Sequence, residues 1–446
     1  MYSVDHIQIK YGDAVYSYSD DVCRHSKNLY NAALFIIRNN FTAQKKDILT
    51  PNEQYVHDEI SLLHTDVGAV ISYNQLERLM RLTNNPDFFA GLPMQTAQQT
   101  VRQAVQDFRN WLKSLKEYKK TPSRFKAKPR MPHYKKSPVA GAVFTNQDAV
   151  IRNRWLKLPK TDIKIRVPKR NHARLKEVKL VPFAGTYELL LCYESDSKPA
   201  RKHLPGKAAI DFGVDNLIAI TADNGASAII KGGAMKEHNQ WFNKRRAFLI
   251  SEYTKGHPSV RHPSTKALDQ LSLNRRNFLS DSFHKAAVFV KDFCLANHVG
   301  TLYLGVNRGW KQDINIGHQN NQMFVQMPIY KLRFMITYVC KRAGINVIEY
   351  EESYTSKASF LDSDFIPTYG VNDNASSFSG KRIHRGLYRS KEGSVMNADL
   401  NAAANILRKS SGQNAPDITL KTLQEPLVIR YKDLCKRIPF KRTEAA

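Results

Sequence analysis

Two acids in this chain stand where a carboxylate could do metal chemistry. Asp211 lies inside an apolar run, KAAIDFGVDNLIAITADNG (207–225), and a charge there is costly to bury unless it is paired or bound to a metal. Asp399 falls in the first turn of NADLNAAANIL (397–407). A third acid would have to come from an adjacent strand end. Carboxylate oxygens are hard ligands suited to Mg²⁺, and three of them can hold two ions while leaving room for phosphate and water. One ion would lower the pKa of an attacking water and the other would stabilise a leaving 3′ oxygen. Blander roles stand beside this one: Asp211 as a turn cap at a strand end, and Asp399 as compensation of a helix dipole.

The neighbouring elements decide whether these acids can meet. Residues 207–225 read as two strands with a tight turn at Val214-Asp215-Asn216. The turn Asp223-Asn224-Gly225 is a strong hairpin signal and leads into a third strand, ASAIIKG. Two helices follow, over 234–253 with the basic segment WFNKRRAFLIS, and over 265–298. His284 is expected on the apolar face of the second, as a structural histidine more than a ligand. TLYL (301–304) is a buried strand ending at Gly305, and 322–343 is an amphipathic helix in which Pro328 marks either a kink or the true start. With Ile345–Tyr350 this makes a parallel strand–helix–strand crossover, so the strand ends near Gly305 and Glu351 lie side by side at the carboxyl edge of the sheet. Residues 353–395 are rich in turn residues and basic, and 410–446 carry no clear fold signal.

The amino-terminal half reads differently. A short strand (1–10) precedes helical patterns at 18–40, 54–65, 72–82 and 94–116, the last with Ala97, Val101, Ala104, Val105 and Phe108 on one stripe. KKTPSRFKAKPRMPHYKK (119–136) has nine Lys, Arg or His and three prolines, which predicts a basic extended arm. From Val139 to Glu194 short alternating strands predict an antiparallel sheet or small barrel that strand 1–10 could complete. The net charge is +28, with 68 Lys and Arg against 40 Asp and Glu. That excess fits a polyanion, nucleic acid before anionic membrane. No apolar run reaches the roughly 18 residues of a membrane span, and MYSVDHIQIK lacks the apolar region of a signal peptide. The five scattered cysteines form no CxxC pair and read as small buried hydrophobes in a reducing cytosol.

Taken together, AIDFGVDNLIAITADNG, NRRNFLSDSFHKAA (274–287), GVNRGWKQ (305–312), ESYTSKASFLDSD (352–364), FSGKRIHRGLYRS (378–390) and NADLNAAANI resemble the transposon-encoded OrfB/TnpB nucleases, compact relatives of the type V CRISPR effectors. The resemblance covers roughly 1–410. It implies an α/β multidomain chain: an RNase H-like (RuvC) nuclease domain plus a small antiparallel β-barrel, the wedge, with an inserted helical bundle. On that pattern 1–10 with 137–200 is the barrel and 11–136 the helical recognition domain with its basic arm. Residues 207–352 with 394–410 are the nuclease domain, 353–393 a target-nucleic-acid-binding insertion, and 411–446 a basic tail.

Two departures from the family matter. Its middle catalytic Glu follows the strand that here reads TLYLG, and this chain has Gly305. Its insertion carries two zinc-binding CxxC pairs, replaced here by TSKASFLD, so no zinc is expected and Phe360, Leu361, Phe365, Ile366 and Tyr369 should hold the insertion instead. The missing acid would come from the neighbouring strand end, Glu352 first and Glu351 second, giving a site of Asp211, Glu352 or Glu351, and Asp399 with two Mg²⁺ ions, for which Mn²⁺ can substitute. Otherwise the protein binds without cutting. Lys381, Arg382, Arg385, Arg275, Arg276, Lys311, Arg124 and Lys126 are the expected nucleic-acid contacts. The resemblance implies an RNA-guided DNA endonuclease that holds a guide RNA and a double-stranded DNA target, one protein per RNA, in the cytoplasm or nucleoid of a bacterium or archaeon, with no membrane partner. A guide-dependent repressor and a transposase acting in DNA recombination are the alternatives.

Overall fold

The computed structural model describes residues 2–44, 46–168, 173–195, 204–257, 259–260, 263–307, 327–371, 377–414 and 416–436. The chain forms two compact units, residues 1–198 and 199–446. Among the described residues no helix is long and apolar enough to cross a membrane.

In the first unit, β1 (Tyr2–Ile9) is followed by four helices, α1 (Tyr16–Ala43), α2 (Pro51–Ser61), α3 (Tyr73–Leu82) and α4 (Met94–Lys120). The chain then returns to strands: β2 (Ala142–Thr145), β3 (Val150–Arg152), β4 (Trp155–Lys157), β5 (Lys164–Arg166), β6 (Ala173–Phe183) and β7 (Thr186–Ser195). Thr50 and Ser72 start α2 and α3 with capping boxes closed by Glu53 and Gln75. β1 pairs with β7 in a sheet of order β1-β7-β6-β2, and β3-β4-β5 form a second sheet, so the strands expected in one small barrel divide between two sheets. Part of the basic arm is tied down on α1. The Asn31 side chain exchanges hydrogen bonds with the Lys135 backbone (3.0 and 2.8 Å), and Arg38 donates to Pro132 O (3.2 Å). Arg124 and Lys126 remain exposed.

The second unit is built on a six-stranded sheet. Its elements in chain order are β8 (Gly206–Asp211), β9 (Asn216–Ala222), β10 (Ser227–Lys231), α5 (Gly233–Gly256), α6 (Lys266–Ala296), β11 (Val299–Val306), α7 (Ile329–Arg342) and β12 (Asn346–Glu351). Then come β13 (Lys381–His384), β14 (Leu387–Arg389), β15 (Val395–Asn397), α8 (Ala398–Ser410), α9 (Leu420–Gln424) and β16 (Leu427–Ile429). The strand order is β12-β11-β8-β9-β10-β16. β8, β9 and β10 form the antiparallel meander, and β11 and β12 run parallel to β8 on its other side.

Strand alternation sorts the side chains to two faces. Ala208, Ile210, Ile218, Ile220, Ile230, Leu302 and Leu304 pack against Phe283 and Val290 of α6 and Leu332 and Ile336 of α7. Ala209, Ala219 and Ile229 face the opposite way and pack with Leu400, Ala404, Ile406 and Leu407 of α8. Ala209 and Ala219 on the sheet, with Ala404 on the helix, let α8 approach the sheet closely. Asp211 follows Ala209 by two, so the alternation that buries α8 also presents Asp211 to its amino-terminal end.

The turn-rich segment 353–371 is fastened to α8 by hydrogen bonds as well as by apolar contacts. Asn401 is fully buried; it accepts from Phe360 N (2.9 Å) and donates to Ala358 O (2.8 Å). Asn405 donates to Thr355 O (2.9 Å) and Ala358 O (2.7 Å). Asp364 gathers Ser359 N (2.8 Å) and both the N–H (3.1 Å) and hydroxyl (2.6 Å) of Ser379. Phe360 and Ile366 are buried and Leu361 is packed on the cluster, as expected, whereas Phe365 (56 %) and Tyr369 (75 %) are exposed.

Of the two roles expected for Pro328 the structure shows the helix start: α7 begins after it, with Pro328 at the N-cap; residues 322–326 of the expected helix lie outside the described residues. Other expectations need correction. The segment 411–446 is more than a tail, since β16 pairs in parallel with β10 and extends the sheet. His284 is exposed and bonds Tyr338 Oη (3.1 Å), because the apolar stripe of α6 runs through Phe283, Ala286, Ala287 and Val290. Cys435 is exposed, unlike buried Cys23, Cys294 and Cys340.

Replacing Asn401 with Ala leaves Phe360 N without its partner, while Ala358 O keeps Asn405, an expected cost of about 1–3 kcal/mol to this anchorage. Hydrogen exchange checks it: the amides of Ser359 and Ser379 should exchange faster, and a zinc chelator should leave the wild-type pattern unchanged. Unaltered exchange in Asn401→Ala would contradict the anchorage.

Candidate active site

Register brings the expected acids to one edge. Leu304 pairs with Ile210, which sets Gly305 beside Asp211. Gly305 pairs with Tyr350 and Val306 with Glu351, and Glu352 N donates to Val306 O (3.4 Å) just past the strand. A Cβ built on Gly305 would collide with Glu352 Oε2, and would lie 2.7 Å from Ile406 Cδ1 and 3.0 Å from Ile210 O. The Glu352 carboxylate therefore occupies the space into which a side chain at 305 would grow. Glycine at that position is what leaves room for it.

Asp399 reaches the same cluster from the start of α8. Asn397 caps the helix by accepting from Asp399 N (3.0 Å) and Leu400 N (3.1 Å). The Asp399 carboxylate accepts from Asn216 Nδ2 (2.7 Å) and pairs with Arg382 (3.2 Å). Lys231 donates to Asn216 Oδ1 (2.8 Å), so the first residue of β9 and the last of β10 form a relay that holds Asp399. Beside it Asp215 pairs with Lys236 (2.8 Å) and with Arg385 (2.6 Å). The sequence reading overlooked Asn216, Lys231 and Asp215. Their signal was polar residues bounding otherwise apolar strands.

The electrostatics are those of carboxylates forced together. Burial pushes Asp211 well above the usual carboxylate range, and the charges of Glu352 and Asp399 push it further, while Arg382 and the Phe212 N–H oppose the shift. Burial raises Glu352 to about 7, with Arg333 opposing. Glu351 is differently engaged: it pairs with Lys409 (2.5 Å), whose side chain is 4 % exposed, and accepts from Ser353 N (2.7 Å). Lys409 also donates to Ser353 O (3.1 Å) and Pro367 O (2.8 Å). Glu351 thus neutralises a buried ammonium and Glu352 meets Asp211.

Among the described residues no three His, Cys, Asp or Glu side chains are close enough to ligate one ion as they stand. The donor chemistry nevertheless fits a hard divalent cation, because three carboxylates converge and their repulsion is what such a charge would relieve. Asp399 would have to exchange Arg382 for the metal.

Of the expected nucleic-acid contacts, Lys381 is exposed on β13, and Arg382 and Arg385 lie at the carboxylates. Arg275 does not stand free. Its Nε donates to Asn239 Oδ1 (2.7 Å) and its guanidinium lies over Phe242 (4.9 Å), so it packs α6 on α5. The neighbouring Arg276 is half-buried on α6. Lys311 lies outside the described residues.

The two glutamates should respond oppositely to neutralisation. Glu351→Gln leaves Lys409 buried without its counter-charge and should cost about 2–3 kcal/mol, read as a lower Tm. Glu352→Gln removes a repelled, buried charge and should raise Tm. Because Glu352 holds its proton more tightly folded (about 7) than at its ordinary 4.5, its ionisation destabilises the metal-free fold as pH rises through that window. The Tm gain of Glu352→Gln should therefore be largest at and above neutral pH and vanish near pH 4.5. The reverse ranking of the two variants would exchange their roles.

Comparison with known proteins bears on this arrangement. Residues 190–311 match the family model described as OrfB_IS605, probable transposase, and residues 330–406 match that of the Cas12f1-like TNB domain. Similar solved structures include a Cas12f1–sgRNA–target DNA complex (13 % identity, 88 % of this chain and 82 % of that one, TM-score 0.48). Another is a CRISPR–Cas12f ternary complex (15 % identity, 90 % and 82 %, TM-score 0.35). No curated protein matches the sequence significantly. The OrfB_IS605 segment covers β8 to β11 and the TNB segment runs from α7 into α8, and with both in this order the chain is a relative of the transposon-encoded OrfB/TnpB proteins.

Proposed function

We propose that the protein is an RNA-guided DNA endonuclease of a transposable element, with Asp211, Glu352 and Asp399 as its catalytic carboxylates. The observation that carries this reading is at one spot: the Glu352 carboxylate fills the volume a side chain at Gly305 would take, beside Asp211, and Gly305 is where the resemblance puts the family's acid. The strand order of the second unit, an antiparallel meander with two further strands parallel to its first, supports an RNase H-like nuclease core. The net charge of +28 supports a nucleic-acid partner.

Asp211, Glu352 and Asp399 would hold Mg²⁺, or Mn²⁺ in its stead; bound there, two such ions activate water and stabilise the leaving oxygen of a phosphodiester. The chain's own residues do the rest. Arg382 neutralises Asp399 in the metal-free protein, and a phosphate offers that guanidinium an alternative anion. Arg385 stands beside it on the same hairpin, paired with Asp215. Asn216, itself held by Lys231, fixes the orientation of Asp399. Sequence specificity would come from base pairing between a guide RNA and one DNA strand, with the protein gripping backbone.

One observation favours a second reading, a guide-dependent binder that does not cut: the three carboxylates do not form a closed ligand set, and Arg382 occupies Asp399. Co-expression with the flanking DNA, purification with the bound RNA and incubation with a plasmid target library and Mg²⁺ separates the two. Cutting is expected in the wild type and in Glu351→Gln, and it should fall by roughly a thousandfold or more in Asp211→Ala, Glu352→Ala and Asp399→Ala. RNA-dependent binding with no cutting in the wild type would establish the binder, and cutting without RNA would point to a transposase.

A further inference from the structure

Helix α5 leaves the edge of the carboxylate cluster and carries an exposed aromatic and basic stripe. Gly232, just before it, donates to Asp215 O (2.8 Å), and Lys236 in its first turn pairs with the Asp215 side chain (2.8 Å). Trp241, Arg245 and Phe248 then follow at spacings of four and three, which puts them on one side of the helix. Trp241 is 52 % exposed and Phe248 51 %, although the same helix buries Met235, Asn239 and Phe242 against its own unit. The Arg245 guanidinium lies over the Phe248 ring (5.0 Å), and His238, itself stacked on Phe278 (4.2 Å), sits 5.7 Å from the indole. The indole is thus held from one side and open on another. Lys244 is exposed beside the stripe and Arg246 is exposed farther round the helix; neither engages a carboxylate among the described residues.

We propose that this stripe is a stacking platform for single-stranded DNA that runs from the carboxylate site along α5. Aromatic rings stack on any base, flanking cations meet the phosphates, and an arginine lying on a ring extends the stacking surface. A purely apolar partner would leave Lys244, Arg245 and Arg246 unmatched, whereas a polyanion satisfies them. At about 1.5 Å of rise per residue, Trp241 stands about 12 Å and Phe248 about 22 Å along the axis from the helix start, within a few nucleotides of the site. DNA is the occupant because the strand delivered to the carboxylates is the strand to be cut. On that point the inference rests on the proposed function, whereas the stacking itself requires no cleavage.

The test uses the full chain in EDTA, with fluorescein-labelled oligo-dT and oligo-rU of equal length, at about 0.3 M salt, where phosphate contacts weaken and stacking persists. Trp241→Ala/Phe248→Ala should bind oligo-dT about tenfold to a hundredfold more weakly at unchanged Tm. Trp241→Phe should retain binding but lose most of the tryptophan quench that oligo-dT causes in the wild type, which a merely structural role would not produce. Unchanged oligo-dT binding in the double variant overturns the proposal, as does a loss confined to oligo-rU, which would assign the stripe to the guide. Plasmid cutting by Asp211→Ala is scored separately. Its persistence would remove the nuclease reading, while a loss of oligo-dT binding in the stripe variant would still establish the DNA-binding surface.

Discussion

A carboxylate crowded against Asp211 is the constraint on which the second unit turns. At the end of β11 the Glu352 carboxylate stands where a Cβ at 305 would grow, so a side chain there would push Glu352 Oε2 aside and would also crowd Ile406 Cδ1 and Ile210 O. A glycine in β11 and a glutamate just beyond β12 are therefore one feature written at two positions. Both glutamates after Tyr350 are needed, for different physical reasons. Glu351 balances the buried Lys409 ammonium, and Glu352 carries a charge that its surroundings resist. Burying like charges together lowers stability, and such strain is held where function uses it.

The rest of the unit is arranged to hold that cluster. The alternation of β8 to β10 buries one face under α6 and α7 and leaves alanines for α8 on the other, so the helix that carries Asp399 lies flat on the strand that carries Asp211. Asn401 and Asn405 of the same helix anchor the loop after Glu352 by its backbone. Hydrogen bonds to Asp364 and apolar burial of Phe360 and Ile366 hold the segment that follows Glu352. Position of the carboxylates and stability of the insertion are consequently coupled through one helix.

Much of this was legible in the sequence because it rests on local periodicity. The apolar runs of β8 to β10 bounded by their turn residues, the stripe of α4 and the Asn397 cap gave their elements to within a few residues. The parallel crossover argument was enough to bring Glu351 and Glu352 to Gly305. It could not separate the two, since the difference lies in Lys409, fifty-eight residues on, and in a clash visible only in three dimensions. β16 escaped notice because three residues cannot show a period, and its pairing with β10 is non-local. His284 was misplaced by a single helical position relative to Phe283. Arg275 looked like a phosphate contact until Asn239 and Phe242 of the neighbouring helix were seen to claim it.

The central claim is that Glu352 supplies the third carboxylate of a divalent-metal site. Mn²⁺ binding followed by electron paramagnetic resonance tests it without reference to cutting. The account has wild type and Glu351→Gln bind Mn²⁺ alike, with Glu352→Gln weaker by more than the roughly tenfold to hundredfold that outer-shell partners typically contribute. Equal binding by Glu352→Gln and wild type, or a loss confined to Glu351→Gln, would contradict it.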